Sequence, residues 1–237
     1  IMDGDIIEIP LTQDYRLDLQ AFLDNITKNT RIIWICNPNN PTGTIITHEE
    51  QKAFLEKVPR DILVVLDEAY YEYVQCDDYP ESTQLLDEYD NIMILRTFSK
   101  VYGLAGLRVG YAISCKENIN YLNRVRGPFN VNAAAQVAAL AALYDRDFVQ
   151  KSVKNNQEGK RYLCQCFDNM GIEYIPTYAN FIMVKVNRNS KELFNQLLLK
   201  GIIIRSGDIY GMDDWIRLTV GTPEENRQFI AALKEML

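Results

Sequence analysis

Short, wholly apolar runs alternate along this chain with longer segments whose apolar residues recur every three or four positions. Leu17, Leu19, Phe22, Leu23 and Ile26 mark one face of a helix. Residues 31–36 (RIIWIC) predict a buried strand, residues 62–66 (ILVVL) and 91–96 (NIMILR) two more, and residues 109–113 a fourth. Thr47 with Glu50 three positions on forms a capping box, opening a helix that Pro59 closes. Residues 37–43 (NPNNPTG) predict a loop from their Pro, Asn and Gly content. Apolar strands separated by helices predict an α/β unit: a mostly parallel sheet with helices on both faces. The opening residues, DGDIIEIPL from Asp3, read as a strand and its exit. The first residue is Ile1 rather than Met, so the natural protein is expected to extend upstream.

From about Val131 the pattern changes. An Ala-rich stretch, NAAAQVAALAALY, runs into a long helical segment through Asp168. Residues 181–186, 202–205 and 216–220 predict strands, with a helix at 190–200 and a last one from about Pro223. The division this suggests is a partial large domain over residues 1–130, then a connecting helix and a small C-terminal α+β domain over 131–237. The chain has no internal repeat and no low-complexity segment.

Composition narrows the possible functions. With 47% hydrophobic and 24% charged residues, 237 residues can bury a substantial core. A net charge of −7 argues against a nucleic-acid surface or an anionic membrane face, yet leaves room for a local basic pocket. No apolar run reaches the ~18 residues of a membrane span, so the expected compartment is the cytoplasm. The five cysteines are odd in number and scattered, which predicts free thiols. Cys164 and Cys166 fall on one helix, where positions two apart point away from each other. His48, the single histidine, sits at a helix start, so neither a Ser-His-Asp triad nor a His-ligated metal has support.

The candidate chemistry gathers at the C-terminal ends of the predicted parallel strands, where open α/β sheets bind ligands. Asn40 lies in the loop after the first strand. Asp67, with Tyr70, follows the second. Thr97, Ser99 and Lys100 follow the third, and Arg108 comes eight residues later in a Gly-rich turn. A carboxylate at the end of an apolar strand needs a cationic partner, and a protonated pyridine nitrogen is one. An enclosed lysine has a depressed pKa and becomes a nucleophile toward carbonyls. Thr and Ser hydroxyls beside an arginine suit a phosphate. Asn40 and Tyr70 can donate hydrogen bonds to a phenolate oxygen. Together these groups match pyridoxal 5′-phosphate (PLP).

The motifs NPNNPTG, DEAY and RTFSKVYGLAGLRVGY, in this order and spacing, resemble those of fold-type I, class I/II aminotransferases. The likeness is greatest to the histidinol-phosphate aminotransferases and runs the length of the chain. It implies a PLP-transferase large domain plus a small domain, a homodimer, and transamination of histidinol phosphate with 2-oxoglutarate and glutamate in histidine biosynthesis. By this resemblance Lys100 holds the cofactor covalently and shuttles the substrate proton. Asp67 partners the pyridine nitrogen, and Asn40 and Tyr70 the ring oxygen. Thr97, Ser99 and Arg108 form the phosphate cluster. Arg217, in WIRLTVGT, grips the substrate carboxylate, and Arg205, in IIIRSG, helps bind the substrate phosphate. Asn180, in YANFIMV, occupies a recurrent Asn-Phe position beside the substrate.

Aromatic amino acid aminotransferases and threonine-phosphate decarboxylases share these motifs and are the alternatives; a non-catalytic PLP-fold module is a third. The resemblance also implies a segment before Ile1. That segment would carry a phosphate-binding turn, an aromatic that stacks on the cofactor, and a tyrosine that reaches the partner subunit. Without it the chain is expected to bind PLP weakly or not at all.

Overall fold

Two four-stranded sheets, joined by helices, organise the chain. The computed structural model describes residues 4–236. In the first sheet β1 (Ile32–Cys36), β2 (Leu63–Asp67), β3 (Ile92–Thr97) and β4 (Gly110–Ser114) lie in sequence order. β1, β2 and β3 run parallel, with Cys36 beside Asp67 and Asp67 beside Leu95. β4 returns antiparallel, pairing Gly110 with Thr97. The reason lies in the β3–β4 connection: its only regular piece is a tight turn at Ala105–Leu107, with no helix to carry the chain across the sheet.

Helices α1 (Leu19–Asp24) and α2 (His48–Leu55) cover one face of this sheet. The predicted face of Leu17, Leu19, Phe22, Leu23 and Ile26 packs there against Ile33, Ile35, Val64 and Leu66. The capping box is present: Glu50 N–H donates to Thr47 Oγ1 at 3.3 Å, and Thr47 N–H to Glu50 Oε2 at 2.7 Å. α2 ends at Leu55, one turn before Pro59.

β1 departs from the fully buried strand predicted for residues 31–36. Ile32 and Trp34 are 59% and 53% exposed. β1 is an edge strand, and only its Ile33–Ile35 face meets helices. The strand expected at the start of the chain does not form over residues 4–10, where Ile6 and Ile7 are exposed and no ladder partner lies alongside; Asp3 falls outside the described residues. Helix α3 (Lys116–Val125), which the apolar spacing did not announce, follows β4.

The long helix predicted through Asp168 is two helices, α4 (Ala133–Tyr144) and α5 (Arg146–Met170). The break falls at Asp145, whose carboxylate caps α5 by accepting the Phe148 N–H at 3.0 Å. The second sheet is antiparallel, in the order β5 (Tyr174–Ile175), β6 (Phe181–Lys185), β8 (Trp215–Thr219), β7 (Arg205–Ser206). β5 has no counterpart in the sequence reading. The strand expected over 202–205 shrinks to β7, because residues 202–204 pair with nothing while Ile202 and Ile204 pack into the core. Helix α6 (Ser190–Leu199), α7 (Pro223–Met236) and the C-terminal half of α5 close that core. Phe167 is fully buried at its centre, tilted on Tyr174 at 5.8 Å. Phe167→Ala is expected to cost about 3–5 kcal/mol, read as a lower denaturant midpoint with an unchanged slope.

The two sheets meet where the candidate residues lie. Phe181 of β6 packs with Tyr70, Tyr73 and Val101, and Val149 and Val153 of α5 close over them. Ala135 and Ala139 of α4 pack under Phe98 and Val109, on either side of the Lys100 turn.

Candidate active site

Strand direction builds this site. β1, β2 and β3 all point their C-terminal ends at one edge, so Asn40, Asp67, Thr97, Ser99 and Lys100, 60 positions apart in the chain, converge there. A cleft of about 430 Å³ is lined by Asp67, Thr97, Ser99, Lys100, Arg108 and Gly110 among others. Lys100 Nζ lies 5.0 Å from the centre of the Tyr70 ring. Tyr70 is 4% exposed and held edge-to-face on Phe181 at 5.1 Å.

Burial pushes the Asp67 carboxyl above the usual carboxylate range. The Ala69 N–H, donating to Asp67 Oδ1 at 3.2 Å, the Trp34 side chain and the Lys100 charge oppose this. Burial also lowers the Lys100 amine below its ordinary value of 10.5; Arg217 adds to that shift and Asp67 opposes it. Tyr70 is pushed up to about 12 by burial, so its hydroxyl remains a donor at neutral pH. Cys36, level with Asp67 on β1, is likewise pushed up to about 12 by burial and stays a thiol.

The lowered Lys100 pKa has a checkable sign: a larger share of its amine is neutral at any pH below 10.5. Reductive methylation with formaldehyde at pH 8 is expected to label Lys100 ahead of exposed lysines such as Lys154. Peptide mass mapping that finds equal rates would contradict the shift.

Thr97 Oγ1 accepts the Ser99 N–H at 3.0 Å, shaping the turn. Arg108 has left-handed backbone, φ 54 and ψ 57, uncommon for a residue with a side chain. Its Nη1 donates to Ala105 O at 2.9 Å and reaches Ser99 Oγ at 3.4 Å. The phosphate-type groups are therefore together.

From the second sheet, Arg217 Nη1 donates to Asn40 Oδ1, and this bond spans the two sheets. Among the described residues Arg217 Nε is buried without a partner. Arg205 is exposed and stands directly opposite Arg217 in the β7–β8 register. Opposed residues of an antiparallel pair share a face, so the two arginines rise from the same face of the sheet, an arrangement that favours an anion between them. Asn180 accepts the Val220 N–H on its backbone oxygen at 2.9 Å, and lines a second cleft, of about 410 Å³, on which Lys100 also opens.

A further pair was not foreseen. Glu68 and Arg96, next to Asp67 and Thr97 in the chain, form a buried ion pair at 2.8 Å, with Arg96 Nε also donating to Glu68 at 2.9 Å. The pair ties the ends of β2 and β3 together behind the cleft. The only signal in the sequence was two opposite charges at the ends of adjacent apolar strands.

This geometry sets a half-buried amine and a desolvated carboxylate beside a hydroxyl-and-arginine cluster at the strand ends of an α/β sheet. The family model for aminotransferase class I and II matches residues 1–233, and the chain belongs to that family. The histidinol-phosphate aminotransferase of Moorella thermoacetica is 52% identical over all of this chain, which spans 61% of that protein. Histidinol-phosphate aminotransferase 2 of Carboxydothermus hydrogenoformans is 50% identical, again over the whole chain and 66% of its own length. This chain thus spans slightly under two thirds of these curated relatives. The histidinol-phosphate aminotransferase of Sinorhizobium meliloti, solved in complex with pyridoxal 5′-phosphate, superposes with a TM-score of 0.90 at 27% identity, over 99% of this chain and 66% of that one. The fold is accordingly that of the fold-type I enzymes.

Proposed function

We propose that this protein transaminates histidinol phosphate with 2-oxoglutarate and glutamate as the partner pair, using pyridoxal 5′-phosphate. The observation that carries the substrate reading is the Arg205–Arg217 pair facing one another across β7 and β8. One anionic group accounts for both: the phosphate of the amine in one half-reaction and a carboxylate of glutamate in the other. The whole-chain identity of about half to two curated histidinol-phosphate aminotransferases supports the same substrate.

The residues present fit the cofactor. Among the described residues Asp67 makes no ion pair, although it is a desolvated carboxylate, and a protonated ring nitrogen would supply the missing cation. Asn40 and Tyr70 would hold the ring oxygen, and Thr97, Ser99 and Arg108 the phosphate. When bound, pyridoxal phosphate supplies an aldehyde carbon that takes up the amino group and a ring that withdraws electrons from it.

This chain's own groups do the rest. Lys100 Nζ, whose pKa burial lowers, would be the nucleophile that holds the cofactor. The same Nζ is placed to take the substrate α-proton and return it. Arg217, held by Asn40 and flanked by Phe181, orients the anion so that this proton faces the lysine. Asn180, which lines a cleft on which Lys100 also opens, would be a further substrate contact. We read residues 1–130 as part of the large domain and 131–237 as the connecting helix and small domain. The protein works as a cytoplasmic homodimer on small molecules, with no nucleic acid or membrane partner; among the described residues no helix is long and apolar enough to cross a membrane.

The test is a substrate panel on the full-length protein loaded with cofactor. Histidinol phosphate should be consumed with a kcat/KM at least about a hundredfold above phenylalanine, the margin set by leaving paired cations without their dianion. Threonine phosphate should yield no carbon dioxide. Preference for phenylalanine, or release of carbon dioxide, overturns the reading.

A further inference from the structure

Arg217 has a neighbour that neither the motifs nor the resemblance singled out. Its Cζ lies over two aromatic rings, Phe181 at 5.0 Å and Tyr210 at 5.7 Å. Phe181 is core, 2% exposed. Tyr210 is different: it is half-buried and belongs to none of the apolar core clusters among the described residues. Packing alone does not account for it.

The backbone beneath Tyr210 is tightly specified. It ends a one-turn helix, Gly207–Tyr210. A Cβ on Gly207 would stand 2.2 Å from Met212 O and 2.4 Å from Trp215 O, so the turn lies directly on the start of β8. Gly211 then closes it with φ +70, a conformation that glycine adopts without strain. Gly211 N–H donates to Asp208 O at 3.1 Å and Met212 N–H to Gly207 O at 3.0 Å. The strand that carries Arg217 therefore also fixes the turn that carries Tyr210, and the two side chains keep a set relation.

We infer that Tyr210 is a substrate-positioning residue that acts through Arg217, restricting the arginine to one orientation and to anions that approach the guanidinium edge-on. The rings flank the guanidinium, while Nη1 is committed to Asn40 and, among the described residues, Nε is left buried with no partner. The donors left over lie in the guanidinium plane, which selects planar carboxylates and phosphate edges. Removing the Tyr210 ring restores rotamer freedom and water to that site. This inference rests on the reading of Arg217 as the anion-binding residue.

The probe is succinate, a dicarboxylate that cannot react, titrated calorimetrically into the full-length protein loaded with cofactor. Tyr210→Ala is expected to raise its Kd about tenfold, the weight of one desolvated cation–π contact. Tyr210→Phe should stay within about twofold of the unsubstituted protein. Should Tyr210→Ala fail to fold, as its melting curve would reveal, Tyr210→Leu keeps the bulk without the ring and carries the same expectation. In turnover, the loss should fall on KM for both the amine and 2-oxoglutarate more than on kcat. Unchanged succinate binding in the ring-less variants overturns the inference, as does succinate binding that survives Arg217→Ala. Failure to turn over histidinol phosphate while succinate still binds at Arg217 would sink the substrate reading alone.

Discussion

Lys100→Ala is expected to lower kcat/KM for histidinol phosphate by about four orders of magnitude, because one amine serves two tasks that no neighbour can take over. In the proposed reaction its Nζ is the nucleophile and also the base. The surrounding groups explain why substitution is not rescued from nearby. The cations that act on Lys100 belong to Arg217 and Arg108, and a guanidinium group has only donors to offer. Tyr70, whose ring centre lies 5.0 Å from the amine, is held protonated by burial. The variant should nevertheless fold, since Lys100 belongs to no apolar core and makes no ion pair among the described residues. A melting curve like that of the unsubstituted protein, together with loss of the borohydride-fixed cofactor on Lys100, is the accompanying measurement. Retention of more than about a hundredth of the activity would remove Lys100 from its role.

Asp67→Asn is the second large effect. Asparagine keeps the shape and the acceptor for the Ala69 N–H but removes the charge. A cation buried beside Asp67 then stands uncompensated, at a cost of about 3–5 kcal/mol, which is about two to three and a half decades in rate if it is felt in the transition state. The cofactor should also bind more weakly, read as a rise in its Kd by equilibrium dialysis. Burial holds the Asp67 carboxyl above its usual range, so the unsubstituted protein should lose cofactor as pH falls through that raised value, at a higher pH than an ordinary aspartate would give. In Asp67→Asn this acid limb should vanish. Persistence of the limb would assign it to another group.

Most of the first sheet was legible in the chain because its strands are short, apolar and bounded by turn residues. The errors have physical causes. Residues 31–36 are apolar on both faces, yet Ile32 and Trp34 are exposed, and apolarity alone does not say which face a helix will cover. The direction of β4 depends on what joins it to β3, not on the residues of either strand. The helix break at Asp145 was invisible to periodicity, since the apolar pattern runs on across it.

What the sequence determined by itself is the set of chemical groups and their attachment to strand ends: Asn40, Asp67, Thr97, Ser99 and Lys100 each follow an apolar run by a few residues. Parallel strands in one sheet must bring such ends to one edge, so that part of the site follows from local pattern. The tertiary structure alone decided what stands opposite. Arg217 reaches Asn40 across 177 positions, Arg205 faces Arg217, Phe181 braces Tyr70, and Tyr210 lies beside the guanidinium. These pairings depend on how a second sheet docks on the first, and docking is set by side-chain packing summed over both surfaces, which no local window of the chain contains.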